Sequence, residues 1–224
     1  MLADIATEVI VSIAATLIVA ALVYIYRRAI TIKLQAWLLR QKGIGIVNVY
    51  PHRMDARPPI SKMLQSAQAI QYMGIQGLDI ITHREVMFSD LALSFKHSER
   101  KQQNARFLIL DPESCYTKSR SEEIGQSRQE IHRGIKHSLE DLEALNQNID
   151  AVDLEVRLYD CVPIWNLLFL DDILFLAFYL KGVRGPNSLC LEIQRPSPLF
   201  LAFEKYFDEV WEEAKPFQSG KAEQ

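Results

Sequence analysis

The feature that most constrains this chain is an 18-residue run without a single charge, Val9–Tyr26, which reads VIVSIAATLIVAALVYIY. A helix rises about 1.5 Å per residue, so extending the run back to Ile5 approaches the roughly 30 Å of bilayer hydrocarbon. A secretory signal would begin with basic residues and end in a cleavage site, whereas here Asp4 and Glu8 precede the run. The run predicts an uncleaved membrane anchor. The alternative is a buried core helix, because the run is at the short end for a membrane span.

The charges on either side of this run predict its orientation. The charged side chains that precede it are all acidic, whereas those that follow it closely are basic, namely Arg27, Arg28, Lys33, Arg40 and Lys42. Positively charged flanks stay in the cytoplasm, so we expect a single-pass inner-membrane protein with its N-terminus outside and its C-terminal domain cytoplasmic. The three cysteines are too few and too scattered for a disulfide framework, which fits a reducing compartment.

Small residues recur at every fourth position of the predicted anchor. Ser12, Thr16 and Ala20 therefore lie on one side of a helix. Small side chains let two membrane helices approach closely, and hydroxyl groups can form hydrogen bonds across the contact. The stripe predicts homo-oligomerisation in the bilayer. The alternative is that small residues are merely tolerated in a short anchor.

The sequence divides by composition and pattern into four parts. We predict an anchor over residues 1–28, a basic juxtamembrane helix or stalk over 29–43, an α/β domain over 44–217 and a disordered tail over 218–224. The apolar share of 49 % excludes a disordered chain. The net charge of −3 gives no reason to expect binding to a nucleic acid duplex, because such domains are usually strongly basic.

Strand-like and helix-like runs alternate through the predicted domain, which favours a single domain with a mostly parallel sheet. The predicted strands are Ile44–Tyr50, Ile75–Thr82, Arg106–Leu110, Leu154–Tyr159 and Leu189–Gln194, and the predicted helices are Ser61–Met73, Glu85–Gln103, Ser121–Asn146 and Leu199–Ala214. Between them, Leu167–Leu180 places Asp171 and Asp172 between two apolar arms, as in a bent strand or a hairpin.

Polar residues that follow the predicted strands are the candidates for a ligand site. Ligands of open α/β sheets bind outside the carboxyl ends of the strands, and arginine offers a planar fork to phosphate oxygens. The alternative is that these residues cap helices or lie in solvent. The candidates are His52, Arg53, His83, Arg84, Asp111, Ser114 and, from a second basic group, Arg184.

No established catalytic, metal-binding or cofactor-binding motif occurs in the sequence. It contains no GxSxG, GxxxxGK[ST], HExxH or GxGxxG, and its five histidines share no metal-ligand spacing. We therefore predict no catalytic residues, no metal and no cofactor.

The order of several short segments resembles the non-catalytic branch of the phospholipase D-like domains. The resemblance covers about residues 44–215 and implies an α/β/α sandwich. The segments are GIVNVYPHR (Gly45–Arg53), RFLILDPES (Arg106–Ser114), the helical IHRGIKHSLEDLEAL, EVRLYDCVP (Glu155–Pro163), LLFLDDILFLAFYLKGVRG (Leu167–Gly185) and FEKYFDEVWEEA (Phe203–Ala214).

Active members of that family carry HxKxxxxD, in which the histidine attacks phosphorus and the lysine steadies the phosphate charge. Counting back from Asp171 places Ile164 and Asn166 at the histidine and lysine positions, and counting from Asp172 yields neither residue type. The resemblance thus implies the fold without its usual chemistry. It also implies dimerisation, because family members pair two such modules, and an emptied cleft that still binds a phosphorylated ligand.

These observations lead to one leading hypothesis and two alternatives. The leading hypothesis is a membrane-anchored, catalytically inactive sensor or effector whose cytoplasmic domain oligomerises and binds a phosphorylated or nucleotide ligand. Its architecture resembles that of bacterial antiviral membrane effectors, which is an analogy at the level of the fold. The alternatives are a membrane-tethered phosphodiesterase or nuclease that uses His83 or His52, and a scaffold that holds a partner protein at the membrane.

Overall fold

The structure is a computed structural model that describes residues 43–77, 103–148 and 152–217. It also describes six helical positions near the N-terminus, which include Thr16 and Ala20. Ser12 and most of the predicted anchor lie outside the described residues, as do the predicted tail and most of the predicted stalk. Within the part of the chain that is described, no helix is both long enough and apolar enough to cross a bilayer.

Eight strands form one sheet within the described residues, in the spatial order β1-β7-β6-β5-β2-β3-β4-β8. The strands are β1 (Ile46–Tyr50), β2 (Ala69–Gly74), β3 (Gln103–Leu110), β4 (Val152–Tyr159), β5 (Trp165–Leu170), β6 (Ile173–Phe178), β7 (Cys190–Gln194) and β8 (Lys215–Pro216). The prediction of an α/β domain is confirmed.

The prediction of a mostly parallel sheet is wrong, because the sheet is mixed. Among the described strands, only β2 with β3 and β3 with β4 pair in parallel, and every other pairing is antiparallel. Parallel neighbours need a long crossover, whereas β5 and β6 are joined directly by Asp171 and Asp172. Asp171 has φ +50, and its carboxylate accepts hydrogen bonds from the backbone of Gln68 (3.0 Å) and Ala69 (2.9 Å). The hairpin interpretation of this acidic pair is therefore confirmed.

Helices cover both faces of the sheet. They are α1 (Arg57–Leu64), α2 (Tyr116–Ile124), α3 (Arg128–Asn148) and α4 (Pro198–Glu213). On one face, the ring of Phe169 packs edge-on against Phe200 (5.4 Å) and Phe207 (5.8 Å) of α4. Neighbouring residues of a strand point to opposite faces, so Asn166 and Leu168 point away from α4, toward α2 and α3. The result is a three-layered α/β/α arrangement.

Two of the predicted helices differ from the structure. The run Ser61–Met73 contains the end of α1 and most of β2, because its apolar residues fit a helical and an alternating pattern equally well. The long helix predicted over Ser121–Asn146 is broken at Gly125, whose φ of +66 ends α2 in the left-handed region. Most of the strand Ile75–Thr82 and all of the predicted helix Glu85–Gln103 except Gln103, which begins β3, lie outside the described residues.

Candidate anion-binding site

The carboxyl ends of five strands meet at one end of the sheet. β2, β3 and β4 run in parallel and end here. β1 is antiparallel to β7, which is antiparallel to β6, so β1 and β6 also end here, and β5 begins here. Side chains that follow these strands therefore lie at the same end of the sheet.

A cavity of about 270 Å³ opens at this end of the sheet. None of the described residues that line it is acidic, although three are arginines. The lining consists of Arg53, Tyr72, Ile75, Gln76, Gly77, Arg120, Ile124, Gln126, Ile131, Asn166, Tyr179, Arg184, Gly185 and Pro186. An excess of positive charge in a partly enclosed space attracts anions, and arginine suits phosphate in particular.

Asn166 organises the floor of the cavity. Its side chain is only 5 % exposed and makes three hydrogen bonds. Its Oδ1 accepts from Nη1 of Arg53 (2.7 Å), and its Nδ2 donates to the hydroxyl groups of Tyr72 (2.9 Å) and Tyr179 (3.3 Å). Because arginine can only donate, it fixes which end of the amide is the acceptor. The amide therefore presents its donors to both tyrosines.

Tyr72 keeps its proton at physiological pH, because its pKa is raised. Burial raises the pKa of Tyr72 well above its usual range, and the nearby hydroxyl of Tyr179 raises it further. A neutral phenol is a poor nucleophile but a good hydrogen-bond donor. Tyr179 also accepts a hydrogen bond from the backbone N–H of Ile75 (3.1 Å), which ties it to the end of β2.

The hydroxyl group of Tyr72 has room in its position because residue 74 is glycine. A β-carbon at Gly74 would fall on the hydroxyl of Tyr72 and lie 2.7 Å from Nδ2 of Asn166. The glycine therefore permits the hydrogen bond between those two side chains.

Arg120 holds the loop that carries Arg184. The guanidinium of Arg120 is 4 % exposed and donates to the carbonyl groups of Leu180 (3.1 Å) and Val183 (2.9 Å). It also pairs with Glu123 (2.9 Å) and stacks over the ring of Tyr179, 5.1 Å from its centre. These contacts use its planar fork to join α2 to the loop between β6 and β7.

The other two arginines differ in depth. Arg53 is half-buried and reaches the floor through Asn166, whereas Arg184 is exposed at the mouth. Arg184 is close enough to Glu130 to lower the pKa of that carboxyl, although the hydrogen bonds from Ser127 lower it more. Positive charge thus extends from the floor to the opening.

The candidate residues of the sequence pattern fall into three groups. Arg53 and Arg184 line the cavity. His52 lies beside it, exposed, with Nδ1 3.3 Å from the carbonyl oxygen of Asn187. His83 and Arg84 lie outside the described residues.

Asp111 and Ser114 have structural partners instead. The carboxylate of Asp111 accepts from the backbone of Glu113 (2.9 Å), and the buried hydroxyl of Ser114 accepts from the backbone of Tyr116 (3.1 Å). These bonds shape the turn between β3 and α2, and neither residue lines the cavity.

Sequence reasoning did not select Tyr72, Arg120 or Asn166 as ligand-binding residues. The sequence does point to Asn166, because it occupies the lysine position of the HxKxxxxD frame. Tyr72 lies in the run Ser61–Met73, which the pattern predicts as a helix. Arg120 acts on carbonyl groups about 60 residues away, which no local pattern reveals.

The exposed face of α3 differs in charge from the cavity. Its cations Arg128, Arg133 and Lys136 are interspersed with Glu130 and Glu140. His132 lies 3.0 Å from Glu113, and this hydrogen bond lowers the pKa of Glu113. The face is therefore close to neutral, unlike the nucleic-acid surfaces of basic domains. Over the described part of the chain, no group of three metal-ligating side chains occurs.

Comparison with known proteins identifies no family for this chain. No family model matches the sequence, and no curated protein matches it.

Solved structures show distant similarity. TrmBL2, an archaeal chromatin protein described with a novel mode of DNA binding, has 14 % identity and a TM-score of 0.45 over 96 % of this chain and 71 % of its own. Nuc of Salmonella typhimurium, a phospholipase D family member, has 13 % identity and a TM-score of 0.42, covering 73 % and 91 %. NucT of Helicobacter pylori has 10 % identity and a TM-score of 0.42, covering 74 % and 92 %. Similarity at this level does not by itself establish a common family.

Proposed function

We propose that the domain is a non-catalytic, phospholipase D-like module that binds a phosphate-bearing ligand at the arginine cavity. The observation that carries the proposal is a partly enclosed cavity with three arginines and, among its described lining residues, no carboxylate. The ordered segments that resemble the phospholipase D-like domains support the same assignment from the sequence.

The electrostatic reason is that buried or partly buried cations bind anions more strongly than exposed ones. Water screens the charge less in a cavity, and charge-assisted hydrogen bonds contribute about 1.5–3 kcal/mol each. Arg53 belongs to the wall and Arg184 to the mouth, so a ligand meets both. A volume of about 270 Å³ suits a phosphate group with part of its substituent rather than a large cofactor.

Binding without catalysis follows from the residue types. The described lining contains no histidine, cysteine, serine or lysine. At the histidine and lysine positions of the frame ending at Asp171 stand Ile164, which is exposed, and Asn166, which is engaged by Arg53. An isoleucine cannot attack phosphorus, and a neutral asparagine cannot balance the charge of a phosphate.

A phosphodiesterase or nuclease is the second candidate, and it depends on a histidine that faces the phosphate. Of the two histidines that the sequence suggests, His52 is exposed and does not line the cavity. His83 lies outside the described residues. Hydrolysis of a phosphodiester that is abolished by His83→Ala would favour this candidate over the binding module.

The anchor and the oligomer complete the proposal. A bilayer-spanning helix over residues 1–28, which associates through Ser12, Thr16 and Ala20, would couple ligand binding in the cytoplasm to the membrane. Such coupling is what an antiviral membrane effector needs, whereas a scaffold needs no ligand. The test is disulfide cross-linking in membranes of a Thr16→Cys variant in which the three native cysteines are replaced, with and without phosphate. Cross-linked dimers would show that the helices pair.

The binding test uses the full chain in detergent micelles, titrated with inorganic phosphate while thermal unfolding is followed. A ligand present at 100 times its Kd stabilises the folded state by about 2.7 kcal/mol. We expect a rise in Tm for the natural chain that is lost in the double variant Arg53→Ala, Arg184→Ala.

The matched control is Arg133→Ala, which removes an exposed arginine of α3 that does not line the cavity. It should leave the shift in Tm intact. If phosphate produces no shift in the natural chain, or if the control loses the shift as well, the cavity is not the binding site.

A further inference from the structure

The phenol hydroxyl groups that line the cavity are placed to donate hydrogen bonds, and this restricts the ligand more than charge does. Which phosphate the site takes rests on the proposed function. The hydroxyl groups of Tyr72 and Tyr179 decide it, because a hydroxyl can both donate and accept.

The oxygen of Tyr179 is fully used as an acceptor. It receives the backbone N–H of Ile75 (3.1 Å) and the side-chain N–H of Asn166 (3.3 Å), which occupies both of its lone pairs. Its own proton is therefore left to donate. Since Tyr179 lines the cavity, an acceptor bound there is the group that this proton can reach.

Tyr72, on β2, is separated from Tyr179 by β5 and is also an acceptor. Its oxygen receives the side-chain N–H of Asn166 (2.9 Å). Burial keeps the pKa of this phenol raised, so the proton stays in place. Tyr72 also lines the cavity and presents a second O–H donor.

Asn166 sets this pattern because it cannot turn over. Its acceptor oxygen is held at 2.7 Å by Arg53, so its amide nitrogen must face the two tyrosines. A flipped amide would put two donors, the amide and the guanidinium, against each other. The arginine thus determines the direction of every hydrogen bond in the network.

The shape of the cavity adds a second restriction. Its floor is closed by side chains that are 2–5 % exposed, namely Tyr72, Arg120 and Asn166, and Arg184 is exposed at the mouth. A phosphodiester carries a substituent on two sides of its phosphorus, whereas a terminal phosphate carries one and can enter end-on. A terminal phosphate also offers three ionised or shared oxygens, all of them acceptors.

We infer that the cavity is selective for the terminal phosphate of a phosphomonoester over a phosphodiester, with the hydroxyl groups of Tyr72 and Tyr179 as specificity determinants. The test is isothermal titration of the full chain in micelles with methyl phosphate and with dimethyl phosphate, which differ by one methyl group. We expect methyl phosphate to bind at least tenfold more tightly.

Two variants examine the hydroxyl groups directly. Tyr72→Phe and Tyr179→Phe should each weaken methyl phosphate about tenfold and change dimethyl phosphate less, because each removes one donor. Tyr206→Phe is the matched control, since its hydroxyl lies 4.0 Å from Sγ of Cys161 and does not line the cavity. Thermal unfolding of each variant in the absence of ligand establishes that it is folded.

Changing pH provides an independent readout. The charged or titratable groups that face the cavity or lie next to it are Arg53, Arg120, Arg184, Tyr72, Tyr179, His52, Glu123, Glu130 and Cys190. The second ionisation of a phosphomonoester has a pKa of about 6. Between pH 5 and 7.5 the affinity for methyl phosphate should therefore rise relative to that for sulfate.

The outcomes separate this inference from the proposed function. Equal affinity for methyl and dimethyl phosphate overturns the inference and leaves a phosphate-binding module. Unchanged affinities in both phenylalanine variants likewise overturn the role of the hydroxyl groups. Absence of binding by methyl phosphate, dimethyl phosphate and sulfate together overturns the proposed function.

Discussion

At the scale of single residues, the candidate site depends on a few side chains that are joined by hydrogen bonds. Asn166 occupies the position at which the HxKxxxxD motif has a lysine. An amide at this position cannot supply charge, but it joins Arg53 to two phenols. Arg53, which follows β1, thereby brings positive charge to this network.

Gly74 should tolerate no side chain. In Gly74→Ala, the added methyl group would meet the hydroxyl of Tyr72 and lie 2.7 Å from Nδ2 of Asn166, so one of them must move. We expect a loss of about 1–3 kcal/mol in the free energy of unfolding, as is typical of overpacking, together with weaker phosphate binding. Urea unfolding monitored by tryptophan fluorescence measures the first effect.

Gly185→Ala is the control for that substitution. Gly185 lines the same cavity, but its β-carbon would meet no atom within 4 Å. Its stability should change by less than about 0.5 kcal/mol. Equal losses in both variants would show that the crowding around Tyr72 is not the cause.

At the scale of elements, α2 acts on the site through the loop between β6 and β7. Arg120 donates to the carbonyl groups of Leu180 and Val183, and the backbone carbonyl of Glu123 accepts from Gly182 (2.9 Å). The helix therefore fixes the position of Arg184, which follows directly in the loop. Arg120 is a positioning residue in this account.

Arg120→Lys should loosen the loop without removing its positive charge. A lysine has no planar fork with which to reach both carbonyl groups. We expect faster hydrogen exchange at the amides of 180–185 and several-fold weaker phosphate binding. Arg106→Lys, on the α4 face of the sheet, should leave exchange in this loop unchanged. Unaltered exchange in Arg120→Lys would contradict the positioning role.

The break between α2 and α3 rests on one backbone conformation. Gly125 has φ +66 and open space around its α-carbon, so a side chain there is strained but not crowded. Gly125→Ala should cost about 1 kcal/mol of stability, because alanine rarely adopts this conformation. Gly125→Asn should cost less, since asparagine enters the left-handed region more readily. Equal costs would point to a different cause.

How much of this arrangement the sequence predicts depends on how local each signal is. β3 and β4 were placed correctly because each is a continuous apolar or alternating run, and Arg53 was a candidate because it follows a strand. Tyr72 is not a candidate from the sequence, because the run Ser61–Met73 fits a helix as well as a strand. Only the pairing of β2 with β3 and β5 shows that Tyr72 lies on a strand. The parallel prediction was wrong because two residues, Asp171 and Asp172, suffice to reverse the chain.

At the scale of the whole molecule, acid should destabilise the fold partly through two exposed glutamates. A hydrogen bond to His132 lowers the pKa of Glu113, and hydrogen bonds from Ser127 lower the pKa of Glu130, from 4.5 in each case. A lowered pKa in the folded state means that the stabilisation is present above pH 4.5 and is lost as the pH falls through the folded-state value.

The double variant Glu113→Gln, Glu130→Gln should therefore lose less stability than the natural chain between pH 5 and pH 3. Urea unfolding at several pH values measures the difference. Glu209→Gln, an exposed residue of α4 that pairs with Lys205 (3.5 Å), is the control and should follow the natural chain. A double variant with the same acid sensitivity as the natural chain would contradict the assignment.

The strand order has a consequence for synthesis of the chain. β1 pairs only with β7 among the described strands, and Ile46 lies opposite Ile193. At 5–20 residues per second, the ribosome delivers the partner of β1 roughly 7–30 s after β1 itself. During that interval the segment IVNVY has no strand to pair with. We therefore expect it to be accessible to chaperones on the nascent chain until β7 has been synthesised.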